Sequence, residues 1–274
     1  MAPLNVTKKA GNFSSSMQPP FDIYDARCLG TGSSGSVFVY SEEHVIKVFS
    51  DDIEGQKDFD REREIFKDLK SQPPSRYIVQ FVVAWPDGLI LERLCSTLRF
   101  QLRDNKQHIT VDTRMCWIVE AQRALEFLHE KGIMHGDVGC HNYLVNKHGH
   151  IKLCDFAGSM RKWETTRVCY EVRGQHPEYR IGEATPKTEI FALGSTIFEI
   201  YTSRAPYLED TDDVVMDKYN DGDFPLSELE CPTVRAIVQK CWKSEYVEVS
   251  DIDVDLKNIQ EKHAGTDFPL ISVS

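Results

Sequence analysis

Short apolar runs rich in β-branched and aromatic residues occupy 23–29, 37–40, 45–49, 78–85 and 89–92, and they predict five strands. Over 57–70 the period becomes helical, with Ile65, Phe66 and Leu69 as an inward stripe. Glu62 stands three and four positions before the first two and shares that face; Glu64 does not. After Cys95 the helical period dominates, predicting helices over 96–104, 113–131, 187–203, 212–219, 233–244 and 250–263. In the second of these, Met115, Ile118, Val119, Leu125 and Leu128 fall at helical spacing, and Gly132 is the expected terminator. Tyr143-Leu144-Val145 and Ile151-Lys152-Leu153-Cys154 read as a hairpin turned at Asn146-Lys147-His148-Gly149. The expected class is α+β: a small β-rich lobe with one helix over 21–94, then a larger, mainly helical lobe over 95–274, the folded part running from about 21 to 263. Residues 1–20 are polar, end in Pro19-Pro20 and read as a disordered tail.

Composition narrows the setting. A chain of 274 residues, 41% hydrophobic and 27% charged, suits one large domain or two small lobes sharing a cleft. No apolar run approaches the roughly 20 residues that cross a bilayer, and no secretion-type apolar core follows Met1, so no membrane partner is expected. The eight cysteines form no CxxC pair and no zinc-type spacing, which predicts buried free thiols in a reducing cytoplasmic or nuclear setting. A net charge of −11 argues against a nucleic-acid partner. Nothing demands more than a monomer.

Three segments carry candidate chemistry. Asn142 lies five residues after Asp137 and Asp155 eighteen after it, and the hairpin between Asn142 and Asp155 would bring those two to one end. A phosphoryl-transfer site needs such parts: a carboxylate to accept a hydroxyl proton, with an amide and a second carboxylate to hold Mg²⁺. Gly30, Gly32 and Gly35 form a GxGxxG run, which fits a phosphate-cradling loop or a dinucleotide turn. The flank decides, because Val37-Phe38-Val39-Tyr40 reads as a strand where the dinucleotide fold has a helix. Lys47 sits among Val45, Ile46, Val48 and Phe49, where an unpaired ammonium is costly, so it needs a partner. Glu62 is on the right face to supply one.

At His135-Gly136-Asp137-Val138-Gly139-Cys140-His141-Asn142 and Asp155-Phe156-Ala157-Gly158 the chain resembles the eukaryotic protein kinase family, with HGDVGCHN for HRDLxxxN and DFAG for DFG. His176-Pro177-Glu178 is similar to its APE, and Glu189-Ile190-Phe191-Ala192-Leu193-Gly194 to its DxWSxG helix, so the resemblance spans roughly 24–243. Together these motifs look most like the divergent HGD-type protein kinases of filamentous fungi. The resemblance implies an ATP- and Mg²⁺-dependent transfer to a protein hydroxyl, with serine or threonine favoured. It implies Asp137 as catalytic base, Asn142 and Asp155 as metal ligands, and Lys47, paired to Glu62, on the nucleotide phosphates. ATP would lie between the lobes, under Gly30, Gly32 and Gly35, with Leu29 and Val37 above the adenine, Leu144 below it, Leu91 as gatekeeper, Glu92-Arg93-Leu94 as hinge and Val45 also lining the cofactor site. His135, Phe156, Phe66 and Phe81 would stack as a column joining the lobes.

The departures from the family pattern matter as much. Gly136 replaces the HRD arginine, so phosphorylation at Thr165, Thr166 or Tyr170 is not expected to be required. Gly139 replaces a lysine that faces the γ-phosphate, and His141 stands where it can supply part of that charge in the reaction. Ala157 adds a Cβ that Gly158 is expected to offset, and Glu178 lacks its usual downstream arginine. Two other readings stay open: a pseudokinase serving as an interaction scaffold, and a small-molecule phosphotransferase of the aminoglycoside or choline kinase kind. Residues 207–223 carry seven acids and one lysine, which reads either as a solvated face or as a preference for basic protein substrates.

Overall fold

The computed structural model describes residues 26–70, 75–85, 88–104, 108–161, 164–165, 170–180 and 182–257. The tail expected over 1–20 and the end of the last predicted helix lie outside them. The described residues divide between two compact units, one within Met1–Gln72 and Gln80–Arg93, the other within Pro73–Val79 and Leu94–Ser274.

In the first unit, β1 (Cys28–Thr31), β2 (Ser36–Val39), β3 (His44–Val48), β4 (Phe81–Trp85) and β5 (Gly88–Glu92) make one antiparallel sheet in the order β1-β2-β3-β5-β4. Val45 and Ile46 of β3 and Leu89, Ile90 and Leu91 of β5 are buried, as the apolar runs require. The helix α1 (Ile53–Lys70) buries Phe59, Glu62, Ile65, Phe66 and Leu69 on one face. It begins four residues before the expected start because the Asp52 carboxylate accepts the Gly55 N–H at 2.7 Å, a cap that hydrophobic period does not reveal.

The strand expected over 78–85 is divided. Ile78 forms a parallel bridge to Leu153 of the second unit, whose backbone bonds to Tyr77 (2.8 Å) and Val79 (3.0 Å), and only Phe81–Trp85 joins the first sheet.

The second unit is built on α3 (Val111–Glu130), preceded by a two-residue strand β6 (Ser96–Thr97) and α2 (Leu98–Asp104). Thr110 caps α3, accepting the Thr113 N–H at 3.1 Å, and Gly132 at φ 69° ends it as predicted. After the short strand β7 (Ile133–Met134) come β8 (Tyr143–Val145) and β9 (Ile151–Leu153), paired Tyr143↔Leu153, then β10 (Met160–Arg161) on β7. A 3₁₀ turn at Val172–Gly174 leads to α4 (Pro186–Thr202), apolar around its circumference and almost wholly buried, with a Thr185/Thr188 capping box. Then follow α5 (Asp212–Asn220) and α6 (Pro232–Trp242), which packs on α4.

Among the described residues no helix is long and apolar enough to cross a membrane. Among the described residues seven cysteines form no disulfide; Cys140 and Cys241 are buried, Cys116, Cys154 and Cys231 half-buried, and Cys28 and Cys95 exposed, so the expectation of burial is corrected for those two.

Candidate active site

In the first unit, Lys47 on β3 is 5% exposed and its Nζ donates to Glu62 Oε2 at 2.6 Å, while Glu62 is fully buried. The β3 register and the α1 stripe bring these side chains together across fifteen residues. The glycine run links β1 to β2, not to a helix. Gly35, at φ 154°, passes so close to β3 that a Cβ would overlap the Val48 carbonyl oxygen, whereas a Cβ on Gly30 or Gly32 would meet nothing within 4 Å. Gly35 therefore serves the fold; Gly30 and Gly32 leave open space. Leu29 is exposed, Val37 half-buried, and Val45 and Leu91 buried as Cα partners in the β3–β5 ladder. Glu92 accepts the Gln80 N–H at 2.7 Å, while Leu94, half-buried, opens the helical part of the second unit. Phe66 stacks on Phe81 at 5.3 Å here, and His135 meets Phe156 edge-on at 5.5 Å in the second unit.

In the second unit the catalytic-loop segment is anchored from three sides. His135 Nε2 donates to the Cys154 carbonyl oxygen at 2.9 Å, and the Cys154 N–H donates to the Asn142 carbonyl at 2.9 Å. The β8–β9 hairpin thus brings Asn142 beside the residue preceding Asp155, as its spacing predicts. Asp155 lies at φ 65°, a left-handed conformation that aspartate tolerates better than most residues. Ala157 is buried outside that region, and Gly158 also keeps ordinary φ, so the extra Cβ needs no compensation from its neighbour.

Asp137 is the focus of this loop. Its Oδ2 accepts from Asn142 Nδ2 and from His141 Nε2, both at 3.0 Å, and Asn142 Nδ2 also donates to the Asp137 carbonyl at 2.8 Å. Its Oδ1 is buried with no hydrogen-bond partner among the described residues. His141 Nδ1 faces Glu171 Oε2 at 3.4 Å, an ion-pair contact without hydrogen-bond alignment. Burial alone would lower the His141 pKa, but the Asp137 and Glu171 carboxylates outweigh it and raise the pKa to about 9. Glu171 is held well below the usual carboxylate range: burial opposes this, and His141 and Arg99 overcome it.

Glu189, at the start of α4, secures the loop from beneath. Fully buried, it accepts the His135 N–H at 3.0 Å, the Gly136 N–H at 2.7 Å and the Tyr170 hydroxyl at 3.2 Å, and its Oε2 pairs with His129 Nε2 at 2.8 Å. Burial would raise the Glu189 pKa, yet His129, His135 and the Gly136 N–H hold it below the ordinary value. Tyr170 is itself only 3% exposed. One sequence expectation changes in this region. Glu178 finds a partner after all, in an exposed pair with Lys187 at 2.6 Å. Of the seven acids in 207–223, Glu209, Asp210 and Asp212 are tied to Arg204, Lys218 and Arg173.

Glu120 of α3 braces the hairpin, accepting the Ile151 N–H at 2.9 Å and pairing with His150 Nδ1 at 2.6 Å. The Glu120 hydrogen bond raises the His150 pKa above 6.5, against burial and the opposing charge of Arg76. A raised histidine pKa gives stability that is full below 6.5 and is lost as pH rises through the folded value. With His150 partly exposed, His150→Ala is expected to cost up to about 1 kcal/mol at pH 6 and progressively less as pH rises toward 9. Thermal melts of both proteins across that range test it; an equal cost at both ends would exclude the pair as its source.

Sequence reasoning did not find Arg99, Glu171, Glu199, His129 or the part played by Tyr170. Their only signal is three-dimensional: Arg99 lies 38 positions before Asp137 and Glu171 lies 34 after it, outside any local motif.

Comparison with known proteins agrees with this geometry. The family profile described as "Protein kinase domain" matches residues 24–248. "Probable serine/threonine-protein kinase SIS8" of Arabidopsis thaliana is 25% identical over 88% of this chain and 25% of its own length. A "Putative mitogen-activated protein kinase kinase kinase 7-like" of Drosophila melanogaster is 29% identical over 65% of this chain and 48% of its own. "Serine/threonine/tyrosine-protein kinase HT1" of Arabidopsis thaliana is 26% identical over 60% of this chain and 45% of its own length. The chain thus spans less than half the length of these curated relatives. With a β-sheet unit, a helical unit and a profile match across 24–248, the chain belongs to the protein kinase family.

Proposed function

We propose that this chain is an active, ATP-dependent protein kinase of the divergent HGD type, transferring the γ-phosphate to a protein hydroxyl with serine or threonine favoured. The supporting observation is the Asp137 carboxylate: one oxygen is fixed by His141 and Asn142, and the other is a buried acceptor without a partner among the described residues. The side chain as a whole stays one-quarter exposed, so the carboxylate, held by these bonds, can meet the proton of an attacking hydroxyl. Asn142, whose amide nitrogen is spent on Asp137, retains its carbonyl oxygen, and with the Asp155 carboxylate it offers the hard oxygen donors that Mg²⁺ prefers. Mg²⁺, when bound, neutralises charge on the phosphate oxygens. Lys47, oriented by Glu62, is assigned to the nucleotide phosphates, and the open space at Gly30 and Gly32 suits close backbone approach to them.

A protein acceptor is favoured over a small molecule by the ordered segment from Val172–Gly174 to His176-Pro177-Glu178, leading into a capped α4. Asp213, Asp217 and Asp221 remain exposed on or beside α5, and we assign them a preference for basic substrates. Turnover of ATP with Mg²⁺ by phosphate-free protein, assayed against protein, peptide and aminoglycoside acceptors, tests this reading. Phosphoprotein formation is expected. Transfer to the aminoglycoside alone would favour the small-molecule class, no transfer at all the scaffold, and activity only after phosphorylation would overturn the independence expected from Gly136.

A further inference from the structure

Gly139 and His141 share one volume. A Cβ built on Gly139 would fall 2.5 Å from His141 Cε1 and 2.7 Å from Nδ1, so the imidazole fills the space that a side chain at 139 would occupy. From that position each ring nitrogen faces a carboxylate, Nε2 toward Asp137 at 3.0 Å and Nδ1 toward Glu171 at 3.4 Å.

Glu171 is itself held. Arg99 donates to both its oxygens, at 2.6 and 2.7 Å, in the bidentate geometry that fixes a carboxylate plane. The same guanidinium grips the buried Glu199 of α4 at 2.8 and 2.9 Å, and the Arg99 backbone N–H donates to the Cys140 carbonyl at 3.0 Å. A continuous set of contacts therefore runs from α4 through Arg99, Glu171 and His141 to Asp137. Each member has few orientations left, and the carboxylate at the end inherits that order. Among the described residues Glu171 makes no hydrogen bond or ion pair with Asp137, and it reaches that carboxylate only through His141.

We infer that Glu171 is a positioning residue for phosphoryl transfer: locked by Arg99, it holds the His141 ring in the space left by Gly139 and through that ring fixes the Asp137 carboxylate. The inference rests on the kinase reading above and deepens it. It explains why losing a side chain at 139 and gaining a histidine at 141 belong together, since a side chain at one would expel the ring of the other.

The test is a cycle of Glu171→Gln, His141→Ala and the double variant, with Gly139→Ala as an independent route to the same displacement. Glu171→Gln is expected to lower kcat about tenfold with KM for ATP unchanged, within the ~10²-fold that an ångström of misplacement can cost. The double variant should be no worse than His141→Ala alone, and Gly139→Ala should match His141→Ala. A crystal structure of Glu171→Gln should show the ring turned away from Asp137. Additive losses, or an unmoved ring with kcat within twofold of wild type, would overturn the inference while leaving the kinase reading intact. A wild type that transfers no phosphate would overturn the kinase reading, and the ring position in Glu171→Gln would then still decide whether Glu171 holds His141.

Discussion

Replacing Asp137 with asparagine lowers kcat by about 10²–10⁴, the range that a positioned general base contributes, and leaves KM for ATP close to its original value. The local geometry sets this expectation. Asp137 Oδ2 accepts two hydrogen bonds, from His141 and Asn142, and Oδ1 is a buried acceptor without a partner among the described residues. Asparagine has only one acceptor oxygen. In neither orientation is there a base: a neutral amide cannot take the hydroxyl's proton, and if the amide flips, the two donors of His141 and Asn142 face an NH₂. Lys47 and Glu62 are untouched in either case, so nucleotide affinity has no reason to fall. Stability is expected to fall modestly, because the substitution removes the charge paired with His141 and leaves an unmet NH₂ where Oδ1 was buried, a loss of about 1–3 kcal/mol. Initial rates over a range of ATP concentrations, with a melt of each protein, check both halves. A kcat within tenfold of wild type would remove Asp137 from the role of base.

The sequence made some parts of this site legible and hid others for a physical reason. Lys47 and Glu62 could be paired because both lie in regular elements, where a period of two or 3.6 residues dictates which way a side chain points. Asn142 and Asp155 could be brought together because a short hairpin has few registers. The same logic placed Met115, Ile118, Leu125 and Leu128 in the core of α3 and its end at Gly132, but it included the half-buried Val119 and passed over Trp117, which is fully buried. It failed where position depends on caps or on contacts distant in sequence. Asp52 starts α1 early through a side-chain bond that leaves no trace in hydrophobic period. Ile78 leaves the first sheet because Leu153, 75 residues later, offers its backbone. Arg99 meets Glu171 across 72 residues and Glu199 across 100, on surfaces whose charges look like ordinary solvated ones until the fold joins them.

Glu189 is the clearest case of a residue whose weight comes from the fold, and its loss has the second large effect expected here. The family pattern has aspartate at this place, and the longer glutamate could have been read as a weakening. Instead its two oxygens take the backbone N–H groups of His135 and Gly136, the Tyr170 hydroxyl and His129 Nε2, all in a fully buried setting. Glu189→Ala leaves those groups with no acceptor and no route to water. Removing one partner from a buried charged network costs about 3–5 kcal/mol, a large share of the ~5–15 kcal/mol that keeps a domain folded. Glu189→Gln keeps an acceptor for one of the two amides and should lose less. Hydrogen exchange resolves the effect amide by amide, which a melt of the whole chain does not. The His135 and Gly136 amides are expected to be strongly protected in wild type, partly protected in Glu189→Gln and open in Glu189→Ala, with activity falling in the same order as the catalytic-loop segment loosens. Unchanged protection in Glu189→Ala would mean that the loop is held by something other than this carboxylate, and the argument that α4 anchors Asp137 from beneath would fail with it.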